Sequence, residues 1–133
     1  MTTRSDQPTK WLVGKAVLAI HDRQLSEHGG SSGIKDHGAL ESALARPVNQ
    51  ALYGEPDHAA LAAAYAFGIA KNHPFVDGNK RTAWVAARLF LAANGRDLEF
   101  AKAEAVTLME GVAAGLVDET GLAQWFRTRL KTS

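Results

Sequence analysis

Apolar residues return at helical spacing from the first tryptophan onward: Leu12, Val13, Ala16, Val17, Ala19 and Ile20 share one side, while Lys15, Asp22 and Arg23 fall elsewhere. The spacing predicts an amphipathic helix over 11–27. Gly29 to Gly38 interrupts it with four glycines and two serines in ten residues, a composition that favours a mobile loop or a short hairpin, here termed the flap. Ala39 to Ala45 fits a short helix stopped by Arg46-Pro47, and Pro47 to Tyr53 fits another turn or two before Gly54-Glu55-Pro56. Asp57 is the expected N-cap of a helix running to Asn72, which Pro74 ends by disfavouring helical geometry at His73. A new helix opens near 77–79 and reaches Asn94, with Gly95 as its stop. Between Ala83 and Ala93 only Arg88 is charged, so this helix belongs at the centre of the fold. Further helices fit Ala101 to Ala114, closed by Gly115, and Glu119 to Leu130 behind Asp118. No stretch alternates with strand period long enough for a sheet. The expected fold is all-α, a compact bundle of about six helices with a Gly-rich flap loop or short hairpin.

Composition narrows the classes. At 133 residues and 46% apolar content the chain can build one core, so residues 11–133 are expected to form a single helical domain and the polar residues 1–10 a flexible arm. A net charge of +1 gives no electrostatic reason to expect direct nucleic-acid binding or membrane attachment. The absence of cysteine removes disulfides and thiol nucleophiles and fits a cytoplasmic location. The most apolar run, Ala59 to Ala70, is twelve residues, short of the roughly 20 that span a bilayer. His21 and His28 share a helix face, but with His37 and His58 they find no spacing that completes a metal site, and they are expected to be solvated. Trp11, Trp84 and Trp125 are expected to anchor the core or an interface.

The turn between the two most apolar helices is the exception to this ordinary picture. His73-Pro74-Phe75-Val76-Asp77-Gly78-Asn79-Lys80-Arg81 packs an imidazole, a carboxylate, an amide, an ammonium and a guanidinium into nine residues. If Gly78 and Asn79 open a helix, its free amides and dipole form an anion site, to which Gly78 allows close backbone approach. Lys80 and Arg81 then sit in the first turn, where the dipole alone disfavours cations and a bound phosphate offsets that penalty. Arg81 can fork onto two phosphate oxygens. Asp77 would repel such a ligand unless a cation lies between them, which makes it a candidate Mg²⁺ ligand. The His73 imidazole can take a proton from an attacking hydroxyl. Phe75 is the expected apolar pin of the loop. Each residue alone has a plainer role: Asp77 as an N-cap or an i,i+4 partner of Arg81, His73 as a loop histidine. Their coincidence in one turn is what suggests phosphoryl chemistry.

These nine residues closely resemble the signature of the Fic/Doc superfamily, and Asp77 with Lys80 makes them similar to its Doc (death-on-curing) branch, toxins of type II toxin–antitoxin systems. Gly29-Gly30 through Gly33-Ile34-Lys35-Asp36-His37-Gly38 and on to Arg46-Pro47 is similar to the other recurrent block of Doc-like toxins. The resemblance implies that His73 activates a target hydroxyl, Asp77 holds Mg²⁺, and Asn79, Lys80 and Arg81 bind nucleotide phosphates. In the AMP-transferring Fic branch the place of Lys80 is normally glycine, so Lys80 should obstruct the pocket for the far phosphates of ATP. Doc-like toxins hold ATP in the reversed sense and transfer its terminal phosphate, with translation elongation factor Tu as target. The resemblance therefore implies a kinase that arrests translation, with AMP transfer as the alternative and a non-catalytic nucleotide- or partner-binding module as a further one. The flap residues Gly33, Ile34 and Lys35 could offer a backbone edge to an extended target segment, or form a plain connector. Autoinhibited Fic proteins carry a Ser/Thr four residues before a Glu followed by Gly or Asn; here Glu110-Gly111 is preceded at that place by Val106. Inhibition is then expected in trans, from a small prevent-host-death type antitoxin.

Overall fold

The structure, a computed structural model, describes residues 8–131. Its helices are α1 (Gly14–His28), α2 (His37–Tyr53), α3 (His58–Asn72), α4 (Asn79–Ala93), α5 (Lys102–Ala113) and α6 (Glu119–Arg129). Among the described residues there is no strand, only two single-residue antiparallel bridges, Ile34 with Phe75 and Leu98 with Leu130. The all-α expectation holds. Helix α3 is the axis, because its alanines form helix at no side-chain entropy cost and let neighbours approach on almost every side. It packs against α2, α4, α5 and α6, while α1 lies on α4. Residues from all six helices meet in one core that includes Val17, Leu40, Tyr65, Phe90, Val112 and Phe126. Among the described residues no helix is long and apolar enough to cross a membrane.

Three boundaries differ from expectation. Helix α1 starts at Gly14 rather than 11; Trp11 and Leu12 instead pack against the core from outside it, and the buried Tyr65 hydroxyl accepts from Leu12 N at 3.0 Å. Of the expected flexible arm, residues 1–7 lie outside the described residues. Lys10 is tied down, its N–H donating to Asn94 Oδ1 at 2.8 Å and its carbonyl accepting from Asn94 Nδ2 at 3.0 Å. The flap ends earlier than Gly38, because Asp36 caps α2 by accepting from Ala39 N at 3.0 Å.

The largest correction is at Pro47. It does not stop a helix: α2 runs through it to Tyr53. Proline leaves the carbonyl of residue 43 without its helical N–H and crowds it, at a cost of about 3 kcal/mol or more in a helix interior. Here the ring is fully buried, and that burial offsets part of the cost. The Ala43 backbone lies against Gly68 of α3, where a Cβ would come within 3.2 Å of the Ala43 Cα and 3.6 Å of its carbonyl oxygen. The close approach of α3 thus covers the segment that the proline perturbs.

Candidate active site

Helix α3 ends because His73 turns left-handed, with φ 53° and ψ 54°, its N–H donating to Ile69 O at 3.2 Å. It is the one non-glycine residue with positive φ among the described residues. The turn sends Pro74 and Phe75 into the core, where Phe75 is fully buried. The flap runs antiparallel beside it. Val76 N donates to Gly33 O at 3.1 Å and Lys35 N to Pro74 O at 2.7 Å, so Ile34 and Phe75 face each other as a pair that exchanges no bond. The backbone groups of Phe75 therefore point away from the flap, and the Asn79 side chain takes both. Asn79 Oδ1 accepts from Phe75 N at 3.0 Å and Nδ2 donates to Phe75 O at 2.9 Å. By the same geometry the N–H and C=O of Ile34 point outward.

The Asn79 amide orientation, fixed by Phe75, sets the state of His73. Its NH₂ group lies 3.2 Å from His73 Nδ1, and Lys35 Nζ lies 3.4 Å from the same atom. Both neighbours are donors, so Nδ1 is the acceptor and the neutral ring carries its proton on Nε2. Asn79 is also 4% exposed, so what it offers an incoming phosphate is its backbone N–H, with its side chain committed to Phe75 and His73.

Asp77 is exposed. Its Oδ1 accepts from Gly78 N at 2.9 Å and its Oδ2 faces Ser31 N at 3.4 Å. A Cβ on Gly30, whose φ is +122°, would sit 2.8 Å from Oδ2, so the flap reaches the carboxylate only as glycine. No ion pair joins Asp77 to Arg81 among the described residues. Helix α4 starts behind a left-handed Gly78 with no side-chain cap. Its first internal bond is Thr82 N to Gly78 O at 3.0 Å, which leaves the amides of Asn79, Lys80 and Arg81 without a helical partner. The Lys80 and Arg81 side chains are exposed and outside the ion pairs of the described residues.

Among the described residues no three His, Asp or Glu side chains group to hold a metal by themselves. A single exposed carboxylate beside an anion site fits a Mg²⁺ that completes its shell with phosphate oxygens and water. The structure thus brings His73, Asp77, Gly78, Lys80 and Arg81 to one turn and lays Gly33, Ile34 and Lys35 against it.

His21 corrects the expectation of a solvated side chain. It is 3% exposed, stacks on Phe75 with ring centroids 3.8 Å apart and planes at 9°, and its Nε2 lies 2.8 Å from the Asp77 carbonyl oxygen. The signal was available: Val17, Ile20 and His21 stand at i, i+3 and i+4, so the period that buries the first two also buries the third.

Fold and site together define an all-helical protein with an anion-ready turn at the start of a central helix. The chain belongs to the Fic/DOC family, whose model matches residues 11–91. It is 35% identical over 112 residues to "Protein kinase doc" of Escherichia phage P1, covering 84% of this chain and 88% of that protein. It is 42% identical over 100 residues to "Toxin Doc" of Mycolicibacterium smegmatis, covering 71% of this chain and 76% of that one. The membership is on the Doc side of the family, as the motif residues Asp77 and Lys80 suggested.

Proposed function

We propose that the chain is the toxin of a toxin–antitoxin pair and acts as an ATP- and Mg²⁺-dependent protein kinase on a hydroxyl of a translation factor, elongation factor Tu by family resemblance. The observation that carries the reading is the uncapped N-terminus of α4, where three amides without a helical partner, Lys80 and Arg81 converge near His73 and Asp77. A relative named for protein kinase activity, 35% identical, supports it, as does Lys80 standing where AMP-transferring enzymes carry glycine.

In this mechanism the first-turn amides and Arg81 orient the phosphates, and Lys80 adds a point charge where negative charge accumulates. Asp77 is the residue that would hold Mg²⁺, which when bound neutralises charge on the phosphate oxygens. The target hydroxyl oxygen attacks the γ-phosphorus, the bond from that phosphorus to the β,γ-bridging oxygen breaks, and ADP leaves. The hydroxyl proton goes to the His73 imidazole. Lys35, on an exposed and flexible side chain at 3.4 Å, gives way as the hydroxyl enters. The outward N–H and C=O of Ile34 offer an extended target segment one residue of backbone edge. A prevent-host-death type antitoxin is the proposed inhibitor in trans.

The test is transfer from ATP labelled at either the γ or the α phosphate to elongation factor Tu and to whole lysate. Label from the γ position is expected. Label from the α position overturns the kinase in favour of AMP transfer, and nucleotide binding with no transfer of either label leaves a binding module.

A further inference from the structure

His21 is the buried titratable group closest to the motif, and the mechanism above gives it no work. Its carbonyl partner at Asp77 can only accept, so Nε2 carries a proton and donates across 2.8 Å. The ring lies flat on Phe75 and its edge comes against Gly78, where a Cβ would be 3.7 Å from His21 Cδ2 and 3.8 Å from Nε2. An apolar side chain would cover Phe75 equally well, and burying an imidazole costs free energy unless it is bonded. Among the described residues the one hydrogen bond of the His21 side chain ends on the backbone of Asp77. Asp77 has few other ties: its carboxylate bonds the neighbouring Gly78 N and faces Ser31 N across a long 3.4 Å.

We propose that His21 is a positioning residue for the metal-binding carboxylate: from α1, it fixes the Asp77–Gly78 peptide and so sets where Asp77 stands relative to the first-turn amides of α4. The inference rests on the reading of Asp77 as the Mg²⁺ ligand. Without the donor, the Asp77 carbonyl loses its partner, and the peptide, still tied through Gly78 N to the Asp77 carboxylate, can turn together with it and carry it out of register with a phosphate on α4. Outer-shell partners of metal ligands are worth roughly 10- to 100-fold in metal affinity. His21 acts through the backbone of the ligand rather than on its carboxylate, so an effect at the lower end, about tenfold, is expected.

The test measures the affinity of the full chain for the non-hydrolysable ATP analogue adenylyl imidodiphosphate by calorimetry, in EDTA and in Mg²⁺, and compares the gain that the metal brings. Asp77→Ala is expected to lose the gain. His21→Phe keeps a ring on Phe75 but removes the donor; its gain is expected to fall about tenfold, with affinity in EDTA unchanged. His21→Gln, which places an N–H near the position of Nε2, should restore most of it. If His21→Phe keeps the whole gain that Asp77→Ala loses, His21 is packing alone and the inference is wrong while the reading of Asp77 stands. If Asp77→Ala keeps the gain, that reading and this inference fall together. Should His21→Phe not fold, the wild-type chain decides: the His21 Nε2–H resonance must shift when Mg²⁺ joins the nucleotide complex, and an unmoved resonance overturns the proposal.

Discussion

Helices α3 and α6 start behind Asp57 and Asp118, whose carboxylates accept from Ala60 N at 2.8 Å and Gly121 N at 2.7 Å. Helix α4, of the same length as α3, starts behind Gly78 with nothing to accept and carries two cations in its first turn. At the first two ends the free amides are spent on local stability. At the third they are left open, and the positive end of the dipole is made more positive still. The difference separates a helix end that closes itself from one that stays open, and Asp77 sharpens it: a carboxylate is available beside α4, yet it bonds Gly78 N and leaves the first-turn amides uncapped.

The largest effect that would break this contrast is on transfer itself. His73→Ala is expected to lower γ-phosphate transfer by about 100- to 10,000-fold, the range for a general base, while nucleotide binding measured by calorimetry persists. Next comes Lys80→Glu. A charge-assisted hydrogen bond contributes roughly 1.5–3 kcal/mol, so nucleotide affinity should fall at least tenfold, yet thermal stability should rise by about 0.3–1 kcal/mol because the new charge suits the dipole. A loss of both together would mean that Lys80 serves the fold.

At the closed ends the outcome reverses. Asp57→Ala should cost about 1 kcal/mol of stability and leave nucleotide affinity alone. The hydrogen bond from the Arg127 guanidinium, ahead of that from Ala60 N, holds the Asp57 carboxyl below its ordinary range against the opposing effect of burial. Its folded value is depressed, so its contribution is present above the unfolded carboxylate value of about 4 and is lost as pH falls through the folded one. Denaturation curves of wild type and Asp57→Asn should therefore converge as the solution is acidified below pH 4, and a gap that widens would contradict the assignment. The smallest effect is expected at Lys35→Met: with Asn79 still donating to Nδ1, the ¹⁵N resonances of His73 should continue to show the proton on Nε2.

Much of the contrast was legible in the sequence. Asp57 and Asp118 announce closed ends, Pro74 dates the exit from α3, and Gly78-Asn79-Lys80-Arg81 announces the open one. What escaped were effects of parts far apart in the chain. Pro47 stops a helix on local grounds, and only the approach of Gly68 and the burial of its ring explain why α2 continues. The flap composition suggested mobility, but nothing local says that its backbone will pair with Pro74 and Val76. That the Asn79 side chain is taken up by Phe75, leaving its backbone N–H for a phosphate, is likewise not visible locally. His21 has no metal-ligand spacing, and its burial follows instead from its place in the apolar stripe with Val17 and Ile20.

The most direct measurement is of the amides themselves, by ¹⁵N–¹H spectra of the chain titrated with adenylyl imidodiphosphate and Mg²⁺. The account predicts that Asn79, Lys80 and Arg81 shift strongly while Ala60 and Gly121, already bonded to their caps, do not move. Saturable binding that leaves 79–81 undisturbed would contradict it.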